Sequence, residues 1–209
     1  MIYYIMGDFL HILDPMTIIK TLGLIGIFCI VFAESGLFFG FFLPGDSLLF
    51  TAGFLASQNY LNINFLVWGV FLCAILGDSV GYWFGRKVGP KIFTREDSLF
   101  FHKDHIEKAQ LFYEKYGNKT IFLARFVPIV RTFAPIIAGV GHMKYDNFIL
   151  YNIFGGFVWS LGMVYSGYYF GQVVPNVDKY ILPIIIGIIF LSLLPIFFEI
   201  LKAHLKPRG

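Results

Sequence analysis

The sequence predicts an all-α integral membrane protein, an inverted repeat in which each copy is a re-entrant helical hairpin followed by a transmembrane helix. Three observations lead there: apolar residues gathered in long runs, two apolar stretches broken at their middle by proline, and self-similarity at an offset of 86 residues. Of the 209 residues, 57% are hydrophobic and 14% charged, against roughly 25% charged in soluble domains. A chain this apolar cannot cover its surface in a water-soluble fold, so residues 1–209 form one membrane domain.

The runs at 17–33, 60–85, 147–170 and 181–201 each approach the ~20 residues needed to cross a ~30 Å hydrocarbon core. The N-terminus carries Asp8 and Asp14 with only Lys20 as a cation. That is no signal-peptide pattern, so the first helix is expected to stay as an anchor. Between Arg86 and Lys119 lie eight Lys/Arg against five Asp/Glu, and the tail adds Lys202, Lys206 and Arg208. The positive-inside rule makes both regions cytoplasmic. Working outward, 17–33 leaves the cytoplasm, 60–85 returns, 147–170 leaves and 181–201 returns, with both termini inside.

Within the cytoplasmic segment 86–119, residues 97–116 have helical amphipathic spacing, through Leu99, Ile106, Ala109, Tyr113 and Tyr116, with Gly117 as a stop. Such a helix lies on the membrane surface or packs as a connector.

Residues 34–57 are interrupted by Pro44-Gly45, and residues 120–143 by Pro128 and Pro135. A limb such as 46–57 is about 18 Å long as a helix, roughly half the bilayer. Two such limbs joined by a break make a re-entrant hairpin, tolerated only where protein or a wet cavity satisfies its backbone. The first hairpin is expected to dip from outside and the second from the cytoplasm. At the offset of 86, Gly81-Tyr-Trp-Phe-Gly85 falls on Gly167-Tyr-Tyr-Phe-Gly171, Ala52-Gly53 on Ala138-Gly139, and Gly69 on Gly155. One crossing per copy inverts the second copy relative to the first, a plan common among secondary transporters; the same glycines also suit close helix packing.

Five ionisable residues lie in this apolar frame: Glu34, Asp46, Asp78, Arg125 and Arg131. At roughly 3 kcal/mol each, five at the midplane would cost about 15 kcal/mol, as much as a typical folding stability. They must be hydrated, paired, or interfacial. If the hairpin tips meet, the acids of one share a cavity with the arginines of the other. Two guanidiniums suit a phosphate or carboxylate, and half-helices opening at Ser47 and Thr132 aim backbone N–H groups at the same place. Substrate binding is therefore assigned to Arg125, Arg131, Ser47 and Thr132. Proton coupling falls to Glu34, Asp46 and Asp78, since burial disfavours the charged form of a carboxylate. Blander roles compete: Asp46 as a helix cap, the arginines as structural ion pairs, Asp78 as a packing residue near a cytoplasmic end. His142 reads as interfacial, and Cys29 and Cys73 as packing residues.

Phe32-Ala-Glu34-Ser-Gly, Phe42-Leu-Pro-Gly-Asp46-Ser-Leu-Leu-Phe50 and Phe122-Leu-Ala-Arg125-Phe-Val-Pro128-Ile-Val-Arg131-Thr-Phe-Ala-Pro135 resemble the DedA family of membrane proteins. The likeness covers nearly the whole chain, including Gly77-Asp78, Ala138-Gly139 and Met143. It implies lipid transport in a bacterial cytoplasmic membrane: return of undecaprenyl phosphate from the outer to the cytoplasmic leaflet, driven by the proton-motive force. It also implies essential roles for Glu34, Asp46, Arg125 and Arg131. The partners expected are that lipid phosphate, membrane lipids and a possible second copy of the chain, with no nucleic acid. Cofactors and metals are expected to be absent. The residues alone stop at an anionic substrate. A proton-coupled antiporter of small cations or drugs, or a general phospholipid scramblase, is the alternative. An enzyme is disfavoured, because no paired histidine-carboxylate motif or Cys-x-x-Cys is present. A structural role in a partner complex completes the set.

Overall fold

A computed structural model describes residues 15–37, 40, 43–92, 117 and 119–173. The segments 97–116 and 181–201, and the placement of both termini, lie outside the described residues. Those described form α1 (Pro15–Gly36), α2 (Gly45–Ser57), α3 (Ile63–Ile92), α4 (Lys119–Ala124), α5 (Pro128–Val140) and α6 (Tyr145–Val173). No strand occurs among them.

Among the described residues two helices are long and apolar enough to cross a membrane, over Ile63–Val88 and Tyr145–Val173. They coincide with the runs at 60–85 and 147–170. Asn62 starts α3 by accepting hydrogen bonds at Oδ1 from the Asn64 and Phe65 amides, at 3.0 and 3.3 Å, an N-cap geometry. Along α3 the large apolar side chains of Phe65, Trp68, Leu72 and Leu76 are exposed, while Ala74, Gly77, Asp78 and Gly81 are buried. The exposed side of α3 is thus large and apolar, the reverse of a soluble helix, and from Ala74 to Gly81 small or polar residues face protein.

α2, α4 and α5 are short. α2 and α5 have 13 residues each, about 20 Å or two thirds of the core thickness. Pro128 opens α5, where its missing N–H is harmless. Pro135, expected as a second break, lies inside α5; the interruption falls at 125–127, ahead of Pro128. Both limbs end alike. Tyr60 and Asn59 amides donate to Leu55 and Ala56 carbonyls, and Met143 and His142 amides donate to Ala138 and Gly139 carbonyls. These are the paired bonds of a Schellman ending, with Asn59 (φ 62°) and His142 (φ 54°) in the left-handed position.

The first element departs from expectation. α1 runs through to Gly36 with a non-helical Gly23 (φ 57°, ψ −145°), so the boundary drawn between residues 33 and 34 falls inside it. Phe28 reaches Gly69, and Gly36 lies against Gly77; α1 and α3 therefore advance in the same direction. A crossing at 17–33 in the sense opposite to 60–85 does not fit these contacts, because it would make the two antiparallel. The stretch from Gly23 to Gly36 is instead a limb of about 20 Å that α2 follows after a short break. Apolar composition cannot separate such a limb from a span; only the glycine kink does.

α2 packs along α6, and α5 along α3. Asp46 meets Trp159, Phe50 meets Gly167, and Ser57 meets Gly171, so α2 and α6 run parallel. A β-carbon on Gly53 would sit 2.0 Å from the Val164 carbonyl oxygen, and one on Gly139 2.0 Å from that of Tyr82. Gly167 and Gly85 stand equally close to the carbonyls of Phe50 and Ile136. Backbone meets backbone at all four points. The buried apolar residues form two separate cores: one around Leu48, Val70 and Val164, the other around Tyr82, Ala134 and Phe148. Between them lies a charged layer.

Candidate functional site

The layer is assembled from every part of the described fold. Glu34 occupies the last turn of α1 and Asp46 the first turn of α2; Asp78 is midway along α3. Arg125 follows α4 directly, and Arg131 is in the first turn of α5. Glu34, Asp78, Arg125 and Arg131 are buried, while the Asp46 side chain keeps 26% of its surface accessible.

Arg131 holds two acids at once. Its Nη1 donates to Asp46 Oδ1 at 2.6 Å, and its Nη2 donates to Glu34 Oε1. Glu34 stands at a helix C-terminus and Arg131 at a helix N-terminus, each the wrong end for its charge. Pairing them offsets both. Gly45 is explained here: a β-carbon on it would overlap the Glu34 carboxylate. The Pro-Gly-Asp turn thus does more than break a helix; its glycine makes room for a buried acid.

Arg125 forms the second station. Its Nη2 donates to Asp78 Oδ2 and, at 2.5 Å, to Asn152 Oδ1. The Asn152 amide donates in turn to the Ile75 carbonyl at 3.2 Å, which fixes its orientation. Trp159 lies between the stations. Its indole N–H donates to Asp46 Oδ1 at 3.0 Å, and its ring centroid is 4.9 Å from Arg131 Cζ and 5.8 Å from Arg125 Cζ. Both guanidiniums therefore lie against one aromatic ring.

Ser47 and Thr132, expected as ligands, are both buried. The Ser47 hydroxyl donates to the Pro44 carbonyl at 2.9 Å, within its own helix turn. Thr132 lies in the first turn of α5 beside Arg131. Neither is among the five charges that meet, though both helix openings face that layer. His142 is exposed beyond α5, away from the cluster.

Sequence reasoning passed over Asn152 and Trp159. Asn152 carried a usable signal, being a polar residue deep in a long apolar run. Trp159 carried none, since tryptophan in a membrane helix ordinarily reads as packing or an interfacial anchor. Among the described residues no three His, Cys, Asp or Glu are grouped as a metal site would require.

The arrangement has three acids on two arginines. Arg131 needs one carboxylate for neutrality and has two. The site can therefore accept a proton and still leave each arginine one carboxylate, and it can take up an anion if a carboxylate lets go.

A family model, the VTT domain, matches residues 43–169, which contain four of the five charges. The chain is 49% identical to protein DedA of Escherichia coli K12 over 178 residues, covering 84% of this chain and 81% of that one. It is 46% identical over 192 residues to an uncharacterized membrane protein of Mycobacterium tuberculosis, covering 88% and 84%. A cyanobacterial membrane protein from Synechocystis is 36% identical over 133 residues, covering 63% and 61%. No solved structure matches. The chain belongs to the DedA family of VTT-domain membrane proteins.

Proposed function

We propose that this protein is a transporter that carries a lipid monophosphate, undecaprenyl phosphate, from the outer to the cytoplasmic leaflet of a bacterial membrane, coupled to inward proton movement. The observation that carries the reading is the fork of Arg131 onto both Glu34 and Asp46. Protonating one of these acids removes its claim on the guanidinium. A phosphate oxygen can then take the vacated N–H donor, a charge-assisted bond worth roughly 1.5–3 kcal/mol. Proton and phosphate enter together from the outer side and move on together, the phosphate to Arg125 and the proton to Asp78. When the proton leaves Asp78 toward the cytoplasm, that carboxylate recovers Arg125 and expels the phosphate.

The architecture supporting this is an inverted repeat. The corresponding close contacts, Gly53 with Val164 and Gly139 with Tyr82, relate the second limbs at an offset of 86 residues and the spans at 82. The spans thus align one helical turn away from the Gly81–Gly85 and Gly167–Gly171 match in the sequence. In this reading α1 after Gly23 and α2 form a hairpin entering from outside, and α4 and α5 form one entering from the cytoplasm. Arg86 and Lys87 mark the cytoplasmic end of α3. The tips meet at the charged layer, and the lipid tail stays in the bilayer while the head crosses.

The surplus acid is also what a cation antiporter would use, so that reading stands second. Reconstituted protein distinguishes them. Wild type should change the sidedness of labelled undecaprenyl phosphate in liposomes, and Arg131→Ala should not. An antiporter would move cations with Arg131→Ala largely intact and leave the lipid where it was.

A further inference from the structure

A cleft of 360 Å³ opens between α4 and α6, lined by Lys119, Phe122, Leu123, Tyr151 and Phe154. Leu123 and Phe154 are exposed at its lips, Phe122 and Tyr151 form half-buried walls, and Lys119 stands exposed at one end. Apart from that lysine the lining is hydrocarbon and aromatic ring. In a bilayer such a cleft fills with a lipid chain, because water finds no polar partners there.

The cleft leads to the charged layer. Phe122 is one helical turn before Arg125. Gly155 of α6 faces both: a β-carbon on it would lie 3.4 Å from Phe122 Cα and 3.5 Å from Arg125 Cδ and Nε. A β-carbon on Gly156 would lie 3.7 Å from Cζ of the same guanidinium. The two glycines leave α6 without side chains where the cleft ends and the arginine begins. Lys119 and Arg125 thus bracket one apolar limb, about 9 Å apart along the helix.

From this we infer that the α4/α6 cleft is a lateral docking site for an anionic lipid, the chain lying between Leu123 and Phe154 and the phosphate passing between Lys119 and Arg125. The inference rests on the transport reading for the identity of the lipid, but the site is defined by its own residues. On the proposed orientation it opens to the cytoplasmic leaflet, so it is where the transported lipid leaves.

Photo-crosslinking tests it without relying on transport. Full-length protein carrying benzoylphenylalanine at Leu123 is placed in phosphatidylcholine vesicles containing a few per cent undecaprenyl phosphate. A control carries the probe at Leu72, on the lipid-facing side of α3. Adducts at Leu123 should contain undecaprenyl phosphate at roughly five times its share of the bilayer, the weight of one lysine beside an anionic head group. Adducts at Leu72 should follow the bilayer composition. Lys119→Gln should abolish the enrichment and Lys119→Arg should keep it. Adducts at Leu123 that follow the bilayer composition, or enrichment indifferent to Lys119→Gln, would overturn the site. Lipid movement measured on the same vesicles separates the two claims. Transport without enrichment removes the cleft alone, and enrichment without transport removes the transport reading alone.

Discussion

Arg131 is the residue on which the others depend. Removing it leaves Glu34 and Asp46 facing each other without a cation, and breaking a buried pair in this way costs about 3–5 kcal/mol. Arg131→Ala should therefore lower the thermal midpoint of the purified protein sharply. Adding Glu34→Gln should recover a large part of the loss, because it withdraws the stranded charge. If the double variant were no more stable than the single one, the pair would not be energetically coupled. Trp159 makes a second test. Trp159→Phe keeps an aromatic ring against both guanidiniums and loses only the bond to Asp46, so lipid movement should slow several-fold, whereas Trp159→Leu should slow it further. Equal rates for the two variants would mean that the ring itself contributes nothing. The five charges could be read from the sequence because ionised side chains in apolar runs are too unfavourable to be incidental. Their pairing could not. Nothing in the spacing says that Arg131 takes Glu34 and Asp46 while Arg125 takes Asp78, and the tryptophan between them looks like any other aromatic.

At the level of elements, the spans and the second limbs were legible and the first limb was not. Length and hydropathy locate α6 and the start of α3 to within three residues, while α3 continues seven residues beyond the expected end at 85, and Pro44 and Pro128 mark the starts of α2 and α5. The run at 17–33 has the composition of a crossing helix, and its kink at Gly23 depends on one backbone conformation that composition does not report. The interlock of limbs and spans rests on glycines where backbone touches backbone. Gly53→Ala and Gly139→Ala each place a β-carbon 2.0 Å from a carbonyl oxygen, so the limb must move off its span. Overpacking of this kind costs about 1–3 kcal/mol. Gly162 has open space around it, and Gly162→Ala should be neutral or slightly stabilising through helix propensity. Thermal unfolding in detergent should place both Gly53→Ala and Gly139→Ala well below Gly162→Ala; equal midpoints for all would mean the close approaches do not hold the helices together.

For the whole molecule, the proposed topology puts the turn at Asn59 outside and the turn at His142 in the cytoplasm. In a background with Cys29 and Cys73 replaced by alanine, Asn59→Cys should react with a membrane-impermeant maleimide in intact cells. His142→Cys should react only after the membrane is opened. Labelling of both from outside would refute the inverted arrangement. In the proposed transport cycle the charged layer between the two cores is the plane of movement, with Glu34, Asp46 and Arg131 as the contacts that exchange.

The most direct test of coupling is the rate at which labelled undecaprenyl phosphate moves between leaflets of proteoliposomes, with and without an imposed proton gradient, for wild type and Glu34→Gln. The account predicts that a gradient directed with the lipid accelerates wild type, and that Glu34→Gln no longer responds to it. Movement at one rate regardless of the gradient, in both proteins, would contradict the exchange of proton and phosphate at Arg131.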